Sequence, residues 1–439
     1  MRRILVVASA SALLLAGCST DSSPTPPSPD STQAGASSSA AGGTSGTNSP
    51  ADDSSGGKSK EDNAGQPGKL KCESLKDAND QELAGRLMAV GVTDFASAQQ
   101  AVDAGVRHLF IGTGSDYSML NGQGDPERSI AALEKRAGEK LTISVDEEGG
   151  EVQRLSSIIG KLPSPRQMAA TMSPEQVRGL MAEHGRKLRK LGVTVDFAPV
   201  LDLGGAEDIS ANGIGSRAFS ADPQVVAKYG RAYADGLRDA GITPVFKHFP
   251  GHGHAKGDSH LGTVVTPPLE VMEKQDLVPF RQLGSMGAAP ANDQRPESGG
   301  APGSASGDSA RPAPANDQRQ APADQRPVPA MMVGHMQVPG LGENKPSSIN
   351  PAAYKLLRDY NFHGLIVTDD LTGMKAVSDQ LTGPEAVVAA VSAGADQALA
   401  AAGGIDVPAA VDGLAKAISS GKIPRERAIA SADRGCLPG

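Results

Sequence analysis

The sequence predicts an α/β protein built as a closed (β/α)8 barrel of the TIM type. Eight short apolar runs of strand length occur along the chain, and longer segments with helical spacing separate most of them. Strands that alternate with helices are parallel and joined by crossovers, and eight repeats favour a closed barrel over an open sheet. No G-x-G-x-x-G motif follows the first run, so a dinucleotide-binding sheet has little support.

The predicted strands are Arg86–Val92, His108–Gly112, Leu141–Val145, Val193–Ala198, Thr243–Phe246, Ala330–Val333, Leu365–Val367 and Gln397–Ala400. The clearest predicted helices are Pro174–Leu191, Pro223–Ala240, Leu269–Gly284 and Pro351–Tyr360. We expect these elements to form one catalytic domain, residues 71–439. We also expect its functional side chains to follow the strands, because chemistry in such barrels lies at the carboxyl ends of the strands.

The first 18 residues have the pattern of a bacterial lipoprotein signal. A basic start and an apolar run, too short to span a bilayer as a mature helix, precede Leu15-Ala16-Gly17-Cys18. This pattern predicts cleavage before Cys18 and acylation of its thiol, so that an exported protein is anchored to the outer face of the cell membrane. An ordinary signal peptide with an incidental Cys18 is the alternative.

Two low-complexity segments interrupt or precede the predicted domain. Residues 19–70 are rich in Ser, Gly and Pro and lack large apolar side chains, so we expect a disordered tether. Residues 288–327 contain a repeat, since Ala289-Pro-Ala-Asn-Asp-Gln-Arg295 recurs at 313–319. We interpret this segment as a disordered surface insertion, because long loops cost little closure entropy.

The cysteines and the charge balance limit the remaining possibilities. Cys72 and Cys436 lie at opposite ends of the predicted domain, and in an exported protein we expect them to pair, with two free thiols as the alternative. The 42 Lys and Arg against 50 Asp and Glu give a net charge of −8, and aromatic residues make up only 3%. This composition argues against a nucleic-acid partner. We expect a monomer.

Polar residues follow five of the eight predicted strands, as the barrel requires. The segments concerned are Asp146-Glu-Glu-Gly-Gly150, Asp196–Asp202, Lys247–His260, Gly334-His335 and Thr368-Asp-Asp-Leu371. Parallel strands end at one rim, so we expect these side chains to converge there.

The segment after the fifth strand carries four of the eight histidines, interleaved with glycines. This pattern indicates a mobile catalytic loop or a metal site, because His252, His254, Asp258 and His260 could ligate a divalent ion. The glycines would organise such a metal shell poorly, so we expect neither metal nor other cofactor.

Together these motifs resemble the bacterial β-N-acetylglucosaminidases of glycoside hydrolase family 3. The resemblance rests on five motifs in the same order and spans Leu83 to about Ala430, apart from the insertion. They are Asp146-x-Glu-Gly-Gly150 with Gln153-Arg154, Gly215-Ser-Arg217, Lys247-His-Phe-Pro-Gly-His-Gly253 with Asp258-Ser-His260, Val333-Gly-His335 and Thr368-Asp-Asp-Leu371.

The resemblance implies a retaining hydrolase with Asp369 as the nucleophile. It also implies that His260, oriented by Asp258, is the general acid/base, in place of the usual second carboxylate. Imidazole suits this role because its ordinary pKa is about 6.5. Larger members of the family carry the acid/base on a second domain, which we do not expect here. A capping role for Asp369 and a purely structural Asp258–His260 pair are the alternatives.

The resemblance further implies a set of sugar-binding residues: Asp146, Arg154, Arg217, Lys247, His248, His335 and Met374. The charged members could instead form a salt-bridge network at the rim. Thr372-Gly373 places one residue more before Met374 than the family usually has, which puts the role of this Met in doubt.

We therefore expect an exo-β-N-acetylglucosaminidase that removes terminal GlcNAc from muropeptides or related cell-wall fragments. A β-glucosidase of the same family, a non-catalytic sugar-binding lipoprotein and a metal-dependent hydrolase are the alternatives. The sequence leaves open the natural glycan and whether water or phosphate is the acceptor.

Overall fold

The computed structural model describes residues 75–204, 213–287, 326–342, 344–401 and 404–437. The predicted signal segment with Cys18, the predicted tether, Cys72 and nearly all of the predicted insertion lie outside these residues. Statements about the structure below concern the described residues.

The eight predicted strands form one parallel sheet that closes on itself. Neighbours follow the order β10-β1-β2-β3-β6-β7-β8-β9, and a parallel bridge between Val367 and Gln397 connects the last strand to the first. A short antiparallel hairpin, β4–β5, follows β3. The predicted (β/α)8 barrel is thus confirmed. The strands are β1 Met88–Val92, β2 His108–Ile111, β3 Thr142–Val145, β4 Glu147–Gly149, β5 Val152–Gln153, β6 Val195–Asp196, β7 Thr243–Phe249, β8 Ala330–Val333, β9 Ile366–Thr368 and β10 Ala398–Ala400.

Helices surround the sheet. They are α1 Asp80–Arg86, α2 Phe95–Asp103, α3 Ile130–Ala137, α4 Ser156–Ile159, α5 Pro165–Thr171, α6 Pro174–Lys190, α7 Pro223–Asp239, α8 Leu269–Met272, α9 Leu277–Gly284, α10 Pro351–Asp359, α11 Lys375–Ser378, α12 Gly383–Ala393, α13 Val407–Ser419 and α14 Arg425–Gly435. None of the described helices is both long and apolar enough to cross a membrane.

Three of the four predicted helices begin where the sequence indicates and end one residue earlier. In α6, α7 and α10 a proline occupies the first helical turn, where its missing N–H costs nothing. The residues before these prolines, Ser173, Asp222 and Asn350, accept hydrogen bonds from main-chain N–H groups of the first turn.

The predicted helix Leu269–Gly284 is instead two helices, α8 and α9, separated by a turn. Pro279 explains the difference. A continuous helix would need its N–H to donate to the carbonyl of Gln275, but proline has no N–H and its ring would collide with that carbonyl. The chain therefore turns before Pro279 and starts a second helix.

The barrel interior is filled by side chains. One apolar cluster inside the sheet includes Val195, Phe197 and Met332, and the ring of Phe110 stacks on Phe197 with centroids 5.4 Å apart. A buried polar contact accompanies it, because the His108 ring lies 2.7 Å from Gln397 Oε1 and 2.8 Å from Ser144 Oγ. The barrel is therefore a packed core that fixes where the strands end.

Cys436, at the end of α14, is disulfide-bonded. Its predicted partner, Cys72, lies outside the described residues, so the pairing remains a prediction.

We expect Cys72→Ser and Cys436→Ser each to lower the free energy of unfolding by about 2–4 kcal/mol, because the unfolded chain regains the freedom of a long loop. Chemical denaturation under oxidising conditions measures this quantity. The double variant should match either single variant, since both remove the same bond. Additive losses would show that the two cysteines are not partners.

Candidate active site

A cavity of about 440 Å³ opens at the carboxyl ends of the strands. Its wall contains residues that are far apart in sequence, because each follows a different strand. Of the ten predicted site residues, nine line it: Asp146, Arg154, Arg217, Lys247, His248, Asp258, His260, Asp369 and Met374. Phe110, Phe197 and Met332, from the barrel interior, form part of its apolar lining.

A compact ionic cluster occupies one side of the cavity. The Lys247 ammonium, nearly buried, lies 2.8 Å from Asp146 Oδ1 and 2.6 Å from Glu148 Oε1. Arg217 donates two hydrogen bonds to Glu148, each 2.8 Å long, in a bidentate pair. Arg154 approaches Asp146 at 3.4 Å. Planar pairing of this kind fixes the guanidinium as well as neutralising the carboxylate.

Glu148, in β4, is the centre of this cluster and was not among the predicted site residues. Burial alone would raise the pKa of its carboxyl, but Arg217 and Lys247 outweigh burial and hold the pKa of Glu148 far below its ordinary value. Its neighbour Glu147 points away from the cavity, to His184 in α6, with 2.9 Å between Oε2 and Nε2. Successive side chains of a strand point to opposite faces, so Glu148 faces the cavity and Glu147 faces α6. The only sequence signal was the position of Glu148 inside the strand-end motif.

Asp369 follows β9 and is held by its main chain, which donates to the carbonyl of Val333 at 2.9 Å. Its Oδ1 accepts a hydrogen bond from the N–H of Asp370 at 2.9 Å. Burial would raise the pKa of Asp369, but His248, His335 and the Asp370 N–H lower it by more, so the net shift is downward. The carboxylate is therefore ionised at neutral pH and faces the cavity without a direct cationic partner among the described residues.

Asp370 turns away and organises the following turn. Its Oδ1 accepts from the N–H groups of Thr372 and Ala401, and its Oδ2 accepts from the N–H of Gly373. The two adjacent aspartates therefore separate into one that faces the cavity and one that fixes the backbone beneath it.

Asp258 and His260 form a pair on the loop after β7. Asp258 Oδ1 lies 2.8 Å from His260 Nδ1 and accepts from the His260 N–H at 2.9 Å. A carboxylate only accepts, so Nδ1 carries the proton and Nε2 is left for other partners. The side chains are 63% and 36% exposed for His260 and Asp258 respectively, yet both line the same cavity as Asp369.

His335 is the one predicted site residue that does not lie on the cavity wall, which does not support its expected contact with sugar. Its ring is buried, with Nδ1 2.7 Å from Ser348 Oγ and Nε2 2.9 Å from the carbonyl of Asp370. Both ring nitrogens are therefore occupied. His335 instead supports the turn that carries Asp369 and Asp370.

Met374 reaches the cavity despite the additional residue before it. It precedes α11, and its sulfur accepts a hydrogen bond from Ser259 Oγ at 3.5 Å. The turn fixed by Asp370 accommodates Thr372 and Gly373, so the sequence difference does not move the Met out of the site.

Three residues of the alternative metal site, His252, Asp258 and His260, line the cavity, but the fourth, His254, does not. No group of three or more His, Cys, Asp or Glu side chains in the described part of the chain is arranged to hold a metal ion. His254 turns to Asp276, with Nδ1 2.9 Å from Oδ2, and is absent from the cavity wall. The expected absence of a cofactor stays a prediction.

Comparison with known proteins agrees with this geometry. The family described as "Glycosyl hydrolase family 3 N terminal domain" matches residues 82–289 and 320–435. The β-hexosaminidase LpqI of Mycobacterium tuberculosis is 40% identical over 348 residues, which cover 77% of each chain.

Solved structures give the same result. A glycosyl hydrolase of the GH3 family from Mycobacterium smegmatis aligns with a TM-score of 0.69 and 41% identity, over 82% of this chain and 97% of that one. A glycoside hydrolase family 3 β-N-acetylglucosaminidase from Paenibacillus aligns with a TM-score of 0.66 and 27% identity, over 81% and 61%. The chain therefore belongs to glycosyl hydrolase family 3 and is a glycoside hydrolase.

Proposed function

We propose that this protein is a retaining exo-β-N-acetylglucosaminidase that releases terminal GlcNAc through a covalent glycosyl-Asp369 intermediate. The observation that carries the proposal is that an ionised Asp369 and the Asp258–His260 pair open onto one cavity. The names of the relatives, a β-hexosaminidase and a β-N-acetylglucosaminidase, support the choice of sugar.

In the first half-reaction, a carboxylate oxygen of Asp369 attacks the anomeric carbon and the bond to the leaving-group oxygen breaks. The His260 imidazolium gives its Nε2 proton to that oxygen, while Asp258 accepts the Nδ1–H and stabilises the charged ring. In the second half-reaction, neutral His260 takes a proton from water as the water attacks the anomeric carbon and releases Asp369. Each proton taken up by His260 is thus returned in the next turnover.

The exposure of the pair indicates that its loop closes over the substrate. His260 is mostly exposed, although a proton donor must reach the glycosidic oxygen. Gly257 and Gly262 flank the pair with φ values of +104° and +158°, conformations that other residues rarely adopt. We propose that these glycines let the loop move His260 towards the cavity and back.

The ionic cluster supplies the binding of the sugar. Asp146 and the cations Arg154, Arg217 and Lys247 offer acceptors and donors on one side of the cavity, which suits the hydroxyls of a single terminal residue. Glu148 contributes indirectly, since its two hydrogen bonds from Arg217 fix that guanidinium. We propose exo-action because this cluster offers acceptors and donors for a single terminal sugar residue.

The proposed location and natural substrate rest on the N-terminal sequence. The pattern ending at Cys18 supports export and lipid anchoring at the outer face of the cell membrane. An enzyme held there would meet cell-wall fragments, so we propose muropeptides or related GlcNAc-terminated fragments as substrates.

We expect Asp369→Ala to lower kcat by at least about 10⁴-fold on aryl β-GlcNAc while the melting temperature stays close to the native value. Added azide should restore part of the activity and yield the α-glycosyl azide, because the small anion enters the space left by the carboxylate.

The native enzyme should keep its rate in a chelator and prefer aryl β-GlcNAc to aryl β-glucoside. An active variant would exclude Asp369 as the nucleophile; inactivation by chelator would favour the metal alternative.

We expect His260→Ala to lower kcat/KM by about 10³-fold on a natural disaccharide but much less on a dinitrophenyl glycoside, whose leaving group needs no proton. His254→Ala is the matched control, because His254 lies on the same loop with the same type of carboxylate partner but off the cavity wall. Equal losses on both substrates would argue against an acid role for His260.

We expect Glu148→Gln to raise KM at least about tenfold and to lower the free energy of unfolding at pH 7 by about 3 kcal/mol, since Arg217 loses its carboxylate partner and Lys247 keeps only Asp146. The folded pKa of Glu148 is depressed, so its stabilisation is complete above its unfolded pKa of about 4.3 and disappears as the pH falls through the folded value. The stability difference should therefore be constant above about pH 5 and shrink only in stronger acid.

Glu139→Gln provides the control for this variant. Glu139 is also nearly buried between two cations, Arg86 and Arg107, but it lies outside the cavity wall. It should lose stability with KM unchanged. An unchanged KM in Glu148→Gln would show that the Glu148 cluster is only structural.

A further inference from the structure

Three histidines, one near the end of β7 and two on the loop after it, are held by the same pair of hydrogen bonds. In each case a carboxylate lies within bonding distance of both the main-chain N and the ring Nδ1 of one histidine. The distances to N and Nδ1 are 3.2 and 2.6 Å for Asp202 with His248, 3.2 and 2.9 Å for Asp276 with His254, and 2.9 and 2.8 Å for Asp258 with His260.

Asp202 differs from the other two carboxylates in its additional bond. It is fully buried, and its second oxygen accepts from the main-chain N–H of His252 at 2.6 Å. Both ends of the turn from His248 to His252 are therefore attached to one side chain. Burial would raise the pKa of Asp202, but the two histidines outweigh burial and lower it, so the carboxylate is ionised.

We propose that Asp202 is a positioning residue for glycoside hydrolysis that acts by fixing the tautomer and orientation of His248. This inference rests on the proposed function, since it concerns the same cavity. Because Asp202 only accepts hydrogen bonds, Nδ1 of His248 carries a proton, and in the proposed tautomer the Nε2 lone pair is left for other partners.

The surroundings of Nε2 agree with an acceptor. Arg217 Nη2, which can only donate, lies 3.5 Å from His248 Nε2. His248 also lines the cavity, so its lone pair can accept from a hydroxyl or amide N–H of the bound sugar. In the opposite tautomer the proton would be on Nε2. That N–H would point at the Arg217 guanidinium, and the acceptor for the sugar would be lost.

The Asp276–His254 pair is a control that distinguishes positioning of a ring in the cavity from anchoring of the loop backbone. Asp276 makes the same two bonds and is equally buried, but the ring it holds is 43% exposed and lies off the cavity wall. If the carboxylates only fix the backbone, losing Asp276 should also lower kcat/KM, although Asp202 holds one more main-chain N–H.

The test compares Asp202→Asn with Asp276→Asn and the native protein. The amide that Asp202→Asn introduces must set its NH₂ group against a main-chain N–H on one side, because Oδ1 accepts from His252 and Oδ2 accepts from His248. Where the NH₂ group faces His248, Nδ1 must become the acceptor and the ring proton moves to Nε2. Ring ¹⁵N chemical shifts of histidine-labelled protein report the tautomer directly, and His248→Gln identifies the signal. Turnover of aryl β-GlcNAc gives kcat/KM, and thermal melting checks the fold.

We expect the native His248 to carry its proton on Nδ1 alone and Asp202→Asn to show the Nε2–H form as well. We also expect kcat/KM to fall at least about tenfold in Asp202→Asn and to stay within about twofold in Asp276→Asn. A proton on Nε2 in the native protein would overturn the proposal even if the variant failed to fold. Equal losses in both variants, or an active Asp202→Asn, would also overturn it. A native protein that does not cleave aryl β-GlcNAc would refute the proposed function instead and leave the tautomer measurement unaffected.

Discussion

The active site depends on one buried ionic contact, the clamp of Arg217 and Lys247 on Glu148. A carboxylate taken out of water is destabilised unless cations with good geometry surround it, and here two of them do. These cations belong to different barrel segments, so the contact joins the hairpin after β3 to β7 and to the turn around Arg217. Parallel strands that end at one rim make such a contact possible, and the packed barrel interior keeps its parts in register.

The clamp also determines how charge is distributed around Asp369. Lys247 is shared between Glu148 and Asp146, and Arg217 is occupied by Glu148, so neither pairs directly with Asp369, the proposed nucleophile. A direct ion pair would weaken Asp369 as a nucleophile, whereas burial without any compensation would protonate it. In this structure the Asp370 N–H and the nearby His248 and His335 lower the pKa of Asp369, so the carboxylate is ionised. No cation contacts it directly among the described residues, so it is free to react.

The sequence predicted the barrel well because strand runs, proline starts and strand-end motifs are local signals. It failed where the outcome depends on side chains that meet only in the fold. Pro279 was overlooked inside a helical pattern. Glu147 and Glu148 are the same residue type, and their side chains point in opposite directions because successive residues of a strand alternate between its faces. The sequence does not show which of them meets Arg217. The sequence also does not show that Ser348 and the carbonyl of Asp370 occupy the ring of His335, because the first is distant along the chain and the second belongs to the backbone.

The three histidine–carboxylate pairs show how one local bond acquires different uses. Hydrogen bonding to Nδ1 fixes the ring in each pair, but exposure rises from the buried Asp202–His248 pair to the mostly exposed Asp258–His260 pair. A residue that binds substrate benefits from a ring that does not move, since preorganisation removes an entropic cost. A proposed acid/base must instead exchange its proton with water and approach the glycosidic oxygen, which needs exposure and a flexible loop. Under the proposed roles, burial, and not the hydrogen-bond pattern, separates sugar binding by His248 from proton transfer by His260.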